Sequence, residues 1–133
     1  MMEIYDLGKY PLTDEALVLA EEKSLPNADN ADSNSVDLGE SYSMGEALVA
    51  IDLDAEITVA ATKLLTFKIM QSADNSSWDT HYLTLTLPPA TYSAQRFLVG
   101  LGSPKRYVKI NADATGDQSG DSYSAAIINW DRR

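Results

Sequence analysis

The chain holds one histidine, His81, and no cysteine. A Ser-His-Asp relay needs that histidine within hydrogen-bond reach of an activated serine. The closest approach to a nucleophile elbow, Gly39-Glu40-Ser41-Tyr42-Ser43, lacks the closing glycine. One imidazole and no thiolate cannot furnish a zinc set, and His81 is expected at the surface, at the start of a strand. Two stretches offer oxygen ligands. Asn27-Ala28-Asp29-Asn30-Ala31-Asp32 lacks the glycine and distal glutamate of a helix-loop-helix calcium site. Asp113, Asp117 and Asp121 recur every four residues with Gly116 and Gly120 between them, a pattern shared with ordinary hairpin tips. Nothing marks a pair of carboxylates for glycoside hydrolysis. Gly100-Leu101-Gly102 is a fragment of a dinucleotide fingerprint followed by Pro104 and an extended stretch, so its glycines read as turn residues. Asn75-Ser76-Ser77 is formally a glycosylation sequon and reads as a turn. These residues point to a non-enzymatic protein with no metal and no cofactor.

What remains is suited to recognition. Lys105, Arg106, Tyr107 and Lys109 form a basic aromatic patch that suits an acidic partner or a sugar; the plainer reading is an edge strand guarded by lysine. The formal charge of −10 is unevenly placed: residues 1–60 carry fourteen Asp/Glu and two Lys, residues 61–133 six Asp and eight Lys/Arg. A chain of this sign is repelled by phosphate backbones, which excludes nucleic acid as the expected partner. No apolar run approaches the roughly 20 residues of a membrane span. The acidic start, Met1-Met2-Glu3-Ile4-Tyr5-Asp6, has no signal-peptide character, so a soluble protein of a reducing compartment is expected.

The elements that position these residues follow from period-two patterning. Leu65, Phe67 and Ile69 alternate with Thr66 and Lys68, then the six small or polar residues 72–77 make a turn before Trp78. That predicts a half-buried antiparallel strand, with Trp78 folding back as a lid on the core. Ala47–Leu53 reads as a central strand. Leu83, Leu85 and Leu87 are expected on one face and Tyr82, Thr84 and Thr86 on the other, ending at Pro88-Pro89. Val108, Ile110 and Ala112 point inward from the Arg106 strand, and Tyr123–Ile128 is the last strand. The short, glycine-bearing connection 113–121 predicts a hairpin between these last two. Residues 24–34 read as a loop and 54–63 as a linker. Residues 14–23 fit either a short helix capped by Thr13 or a strand. Six to eight short strands separated by turns make a single all-β domain, an antiparallel sandwich over 25–133 preceded by an N-terminal arm or short helix over 1–24.

Three pieces in order, Asn34-Ser35-Val36-Asp37-Leu38-Gly39, Thr66-Phe67-Lys68-Ile69-Met70-Gln71-Ser72-Ala73-Asp74, and Arg106-Tyr107-Val108-Lys109-Ile110 with Ala125-Ala126-Ile127-Ile128, resemble the jelly-roll cement, or decoration, proteins of tailed-phage capsids. The resemblance runs through most of residues 14–128. It implies a homotrimer on the outer capsid surface, assembled in the host cytoplasm and bridging major capsid protein subunits, with many copies acting together. The acidic residues 3–56 would then face basic capsid patches. A second resemblance, to discoidin-like carbohydrate-binding sandwiches, rests on the Ser72–Trp78 turn and the Arg106-Tyr107-Val108 strand. It implies stacking of sugar rings on Trp78, Tyr82 and Tyr92.

Overall fold

In the computed structural model, which describes residues 17–39 and 47–129, the alternating stretches form strands and no α-helix occurs among the described residues. In chain order these are β1 (Val18–Ser24), β2 (Asn30–Asp32), β3 (Val36–Asp37), β4 (Leu48–Leu53), β5 (Ile57–Val59), β6 (Leu65–Ser72), β7 (Asp79–Leu87), β8 (Ala90–Tyr92), β9 (Arg96–Gly100), β10 (Tyr107–Ala114) and β11 (Ser122–Ile128). One sheet has the order β1-β11-β4-β9. A second has the order β2-β10-β6-β7, with β3 also paired to β10, and β5 with β8 forms a small two-stranded sheet. All these pairings are antiparallel.

The two main sheets face each other across one core, which makes the fold an all-β sandwich. Val49, Ile51, Leu53, Tyr123 and Ile127 of the four-stranded sheet join Leu65, Phe67, Ile69, Val108 and Ile110 of the five-stranded sheet in a single buried cluster. Phe67 and Tyr123 meet across the gap with ring centroids 5.1 Å apart and planes tilted 60°. Such tilted pairs add stabilisation beyond the burial of their area. As the alternation predicts, Leu65, Phe67 and Ile69 are each fully buried. β4 is central, between β11 and β9.

The structure corrects several expectations. β10 and β11 do not form a hairpin: β10 pairs with β6, β2 and β3, whereas β11 pairs with β1 and β4. Residues 115–121 carry the chain from one sheet to the other. They run beside the crossover from β1 to β2, where Ala28 N–H donates to Gly116 O (2.8 Å), Gln118 N–H to Pro26 O (3.1 Å) and Leu25 N–H to Asp121 O (2.9 Å). A short glycine-bearing link serves a crossover as well as a hairpin when both flanking strands must face one core. The stretch 24–34, read as a loop, contains β2. Polarity hid this strand, because what defines it is its register with β10, Asn111 opposite Asp32, Ala112 opposite Ala31 and Asp113 opposite Asn30. Just beyond it, Ser33 N–H donates to Ile110 O and Ile110 N–H donates to Ser33 Oγ. The linker 54–63 contains β5, whose Ile57 and Val59 are buried. Residues 18–23 of the ambiguous first segment are strand, part of β1, with Leu19 buried in the core and β1 paired to β11. Residues 14–16 lie outside the described residues, as do Tyr42 and Trp130.

Candidate functional site

The residues singled out for recognition gather on the outer face of the five-stranded sheet, because odd positions of β10 point away from the core. Val108, Ile110, Ala112 and Ala114 are buried, and Tyr107, Lys109, Asn111 and Asp113 alternate with them on the half-buried outer side. β10 is an interior strand, flanked by β6 on one side and by β2 and β3 on the other, so its basic residues do not guard an edge. They are held by carboxylates from the acidic first half of the chain. Arg106 makes a two-pronged bond to Asp37, Nε to Oδ1 at 2.8 Å and Nη2 to Oδ2 at 3.0 Å. Its guanidinium also lies 5.3 Å from the Tyr107 ring centroid. Lys109 Nζ donates to Asp32 Oδ2 at 3.0 Å and sits 4.4 Å from the Trp78 ring centroid. Lys105 is exposed, and its backbone N–H donates to Gln71 Oε1 at 3.0 Å.

Trp78 is therefore half-buried against Lys109 and outside the core cluster, a correction of its expected place as a core lid. Its aromatic face attracts the ammonium group, and Asp32 holds that group in position. Tyr82 turns the other way. The register between β6 and β7 slips between Ile69 and Gln71, and Tyr82 packs against the core beside Leu83. Such a bulge re-aims the side chains that follow it. The Tyr82 hydroxyl donates to Leu101 O at 2.6 Å, which fixes the turn after β9. Tyr92 likewise packs on the core and donates to Pro88 O at 2.6 Å. Neither tyrosine stands out as a stacking platform. His81 is the third residue of β7.

The outer face carries residues that patterning alone did not single out. Asn111 Nδ2 donates to Asn30 Oδ1 (3.0 Å) and to Asp32 Oδ1 (2.8 Å). Lys68 on β6 pairs with Asp113 on β10 at 3.0 Å. Between them lies a shallow depression of about 380 Å³ lined by Asn30, Asp32, Lys68, Met70, Thr80 and Asn111. Burial raises the Asp32 carboxyl, but the bonds from Asn111 and Lys109 outweigh it and hold the group below its ordinary value of 3.8.

The three acidic positions that recur in the sequence do not converge. Asp113 sits on β10 with Lys68, Asp117 accepts from the backbone and hydroxyl of Ser119, and Asp121 accepts from Gln118. Among the described residues no group of three or more His, Cys, Asp or Glu side chains is placed to hold a metal ion, and no helix is long and apolar enough to cross a membrane.

The other sheet differs in character on its outer face. Directly opposed residues form a row across all four strands, Val18, Ala126, Ala50 and Leu98, and a second row runs Ile128, Leu48, Gly100. Opposed residues share a face, so this side of the sheet is apolar. Ala50, Ala126 and Ile128 of these rows are nevertheless buried within the chain and Val18 and Leu48 are half-buried, whereas Leu98 is 54% exposed. The next row, Ser124, Asp52 and Arg96, is polar and internally matched, with Arg96 Nε and Nη2 bonded to the two Asp52 oxygens at 2.7 and 3.0 Å. No family model matches the chain, and no curated protein matches it.

Proposed function

We propose that the protein is a structural, non-enzymatic subunit that associates with copies of itself and cements a larger shell, in the manner of the trimeric jelly-roll decoration proteins of phage heads. The observation that carries this reading is the exposed Leu98, on the same outer face of the four-stranded sheet as the half-buried Leu48 and Val18. An antiparallel sheet that faces water normally shows polar residues on that side. Here Ala50, Ala126 and Ile128 are buried, and Leu98 with parts of Leu48 and Val18 is the apolar surface left for a partner. The occupant argued for is a second copy of the chain. With a formal charge of −10, copies repel one another except where they present surface without net charge. The rows through Ala50 and Leu48 carry no charge, and the charges bordering them, Asp52 and Arg96, neutralise each other.

Parts of the three sequence pieces that resemble the cement family meet at one corner of the five-stranded sheet, while Ala125–Ile128 of the third lies in the four-stranded sheet. Asp37 binds Arg106, Tyr107 is opposite Ser72, and Gln71 receives the Lys105 N–H. The partner of such an assembly would be a major capsid protein, met through exposed carboxylates such as Glu21, Glu22 and Glu56.

Light scattering on the purified chain at several concentrations tests the reading. A mass near three times 14.5 kDa is expected, reverting to the single-chain mass in Leu98→Asp with the fold intact by circular dichroism. A wild-type chain that stays monomeric at every concentration would remove the support.

A further inference from the structure

We propose that the depression on the outer face of the five-stranded sheet is a binding site for a neutral saccharide, independent of the self-association surface on the opposite sheet. Its charges come in matched pairs, Lys109 with Asp32 and Lys68 with Asp113. The lining itself holds one carboxylate, Asp32, and one ammonium, Lys68, each already paired with a neighbour, so neither an anion nor a cation is favoured, and a neutral polar ligand is. After the internal bonds are counted, the Asn30 amide nitrogen and the Asn111 amide oxygen have no partner among the described residues. A donor and an acceptor side by side match vicinal hydroxyl groups, each of which donates and accepts.

The lining is not wholly polar. Met70 is 7% exposed although it points away from the core, and Trp78 stands one lysine away at the margin. Met70 being almost covered, the carbon-bound hydrogens of a sugar ring would meet the half-buried Trp78 at that margin. The volume falls within the range of small-ligand sites. The groups project from β2, β6, β7 and β10, four hydrogen-bonded strands, so their spacing is fixed before any ligand arrives.

The test is a nuclear magnetic resonance titration of the isotope-labelled full chain with maltose, cellobiose, lactose and N,N′-diacetylchitobiose, and separately with sodium phosphate and calcium chloride. At least one sugar is expected to shift the Asn30 and Asn111 side-chain amide resonances and the Trp78 indole resonance saturably. Asn111→Ala and Asn30→Ala should each weaken that binding about tenfold. Asn30 is exposed on a short outer strand, so its variant reads the site even where loss of Asn111 disturbs β10. Absence of a saturable shift from all four sugars would overturn the proposal. So would an affinity unchanged in Asn30→Ala, or shifts produced at these residues by phosphate or calcium alone.

Discussion

The hydroxyl of Tyr123 is buried with no hydrogen-bond partner among the described residues, while its ring packs on Phe67 in the centre of the sandwich. An unsatisfied buried hydroxyl costs stability, and its removal leaves the packing intact. Tyr123→Phe should therefore fold normally and be equally stable or more stable by about 1 kcal/mol in urea denaturation at neutral pH. Phe67→Ala removes the other ring and should cost about 3–5 kcal/mol in the same assay. Burial, with the charge of Asp32 adding to it, pushes the Tyr123 pKa well above its ordinary value of 10.0. The unfolded chain then ionises before the folded one. Stability is complete below about pH 10 and falls as pH rises beyond it, and Tyr123→Phe should lessen this alkaline loss. Asp32 acts at the other limb. Its lowered pKa stabilises the fold above pH 3.8 and that contribution disappears as pH falls through the folded value. Asp32→Asn should flatten the acid limb of a stability profile measured by denaturant melts.

At the scale of elements, the turn after β9 shows how one residue fixes a connection. Gly102 has φ of +67°, and a Cβ there would lie 3.3 Å from the Tyr82 hydroxyl that holds Leu101 O. Gly102→Ala should destabilise the protein by about 1 kcal/mol or somewhat more, readable as a lower urea midpoint. Alternation made β4, β6, β10 and β11 legible, because each presents one face to the core and a period of two survives any tertiary context. Tyr82 escaped that logic because a bulge in β7 shifts the alternation, and nothing in residues 79–83 announces it. β2 escaped it because a three-residue strand of Asn, Ala and Asp is defined by backbone pairing alone. The β10–β11 connection was misread because sequence gives the length of a link and not which sheet receives it. For the candidate site, the basic and aromatic members were visible as a patch, but their carboxylate and amide partners lie some 30 to 80 positions away along the chain, as with Asn111 and Asn30 at a separation of 81. Only the fold brings them together.

For the whole molecule, the uneven charge of the two halves acquires a structural meaning. Asp32, Asp37 and Asp52 from the acidic half pair with Lys109, Arg106 and Arg96 from the basic half, so the halves are complementary within one sandwich. The net −10 that remains opposes self-association. Raising the salt concentration should therefore strengthen assembly through the apolar sheet face, seen as a larger mass by light scattering at fixed protein concentration. The order β1-β11-β4-β9 also has a consequence for synthesis. β11 lies between β1 and β4 although it is made long after both. A ribosome-bound chain that has not reached residue 128 holds three strands of the four-stranded sheet, with an empty lane between β1 and the β4–β9 pair. Their apolar faces then stand open to chaperones and to neighbouring nascent chains until translation delivers the strand that joins them.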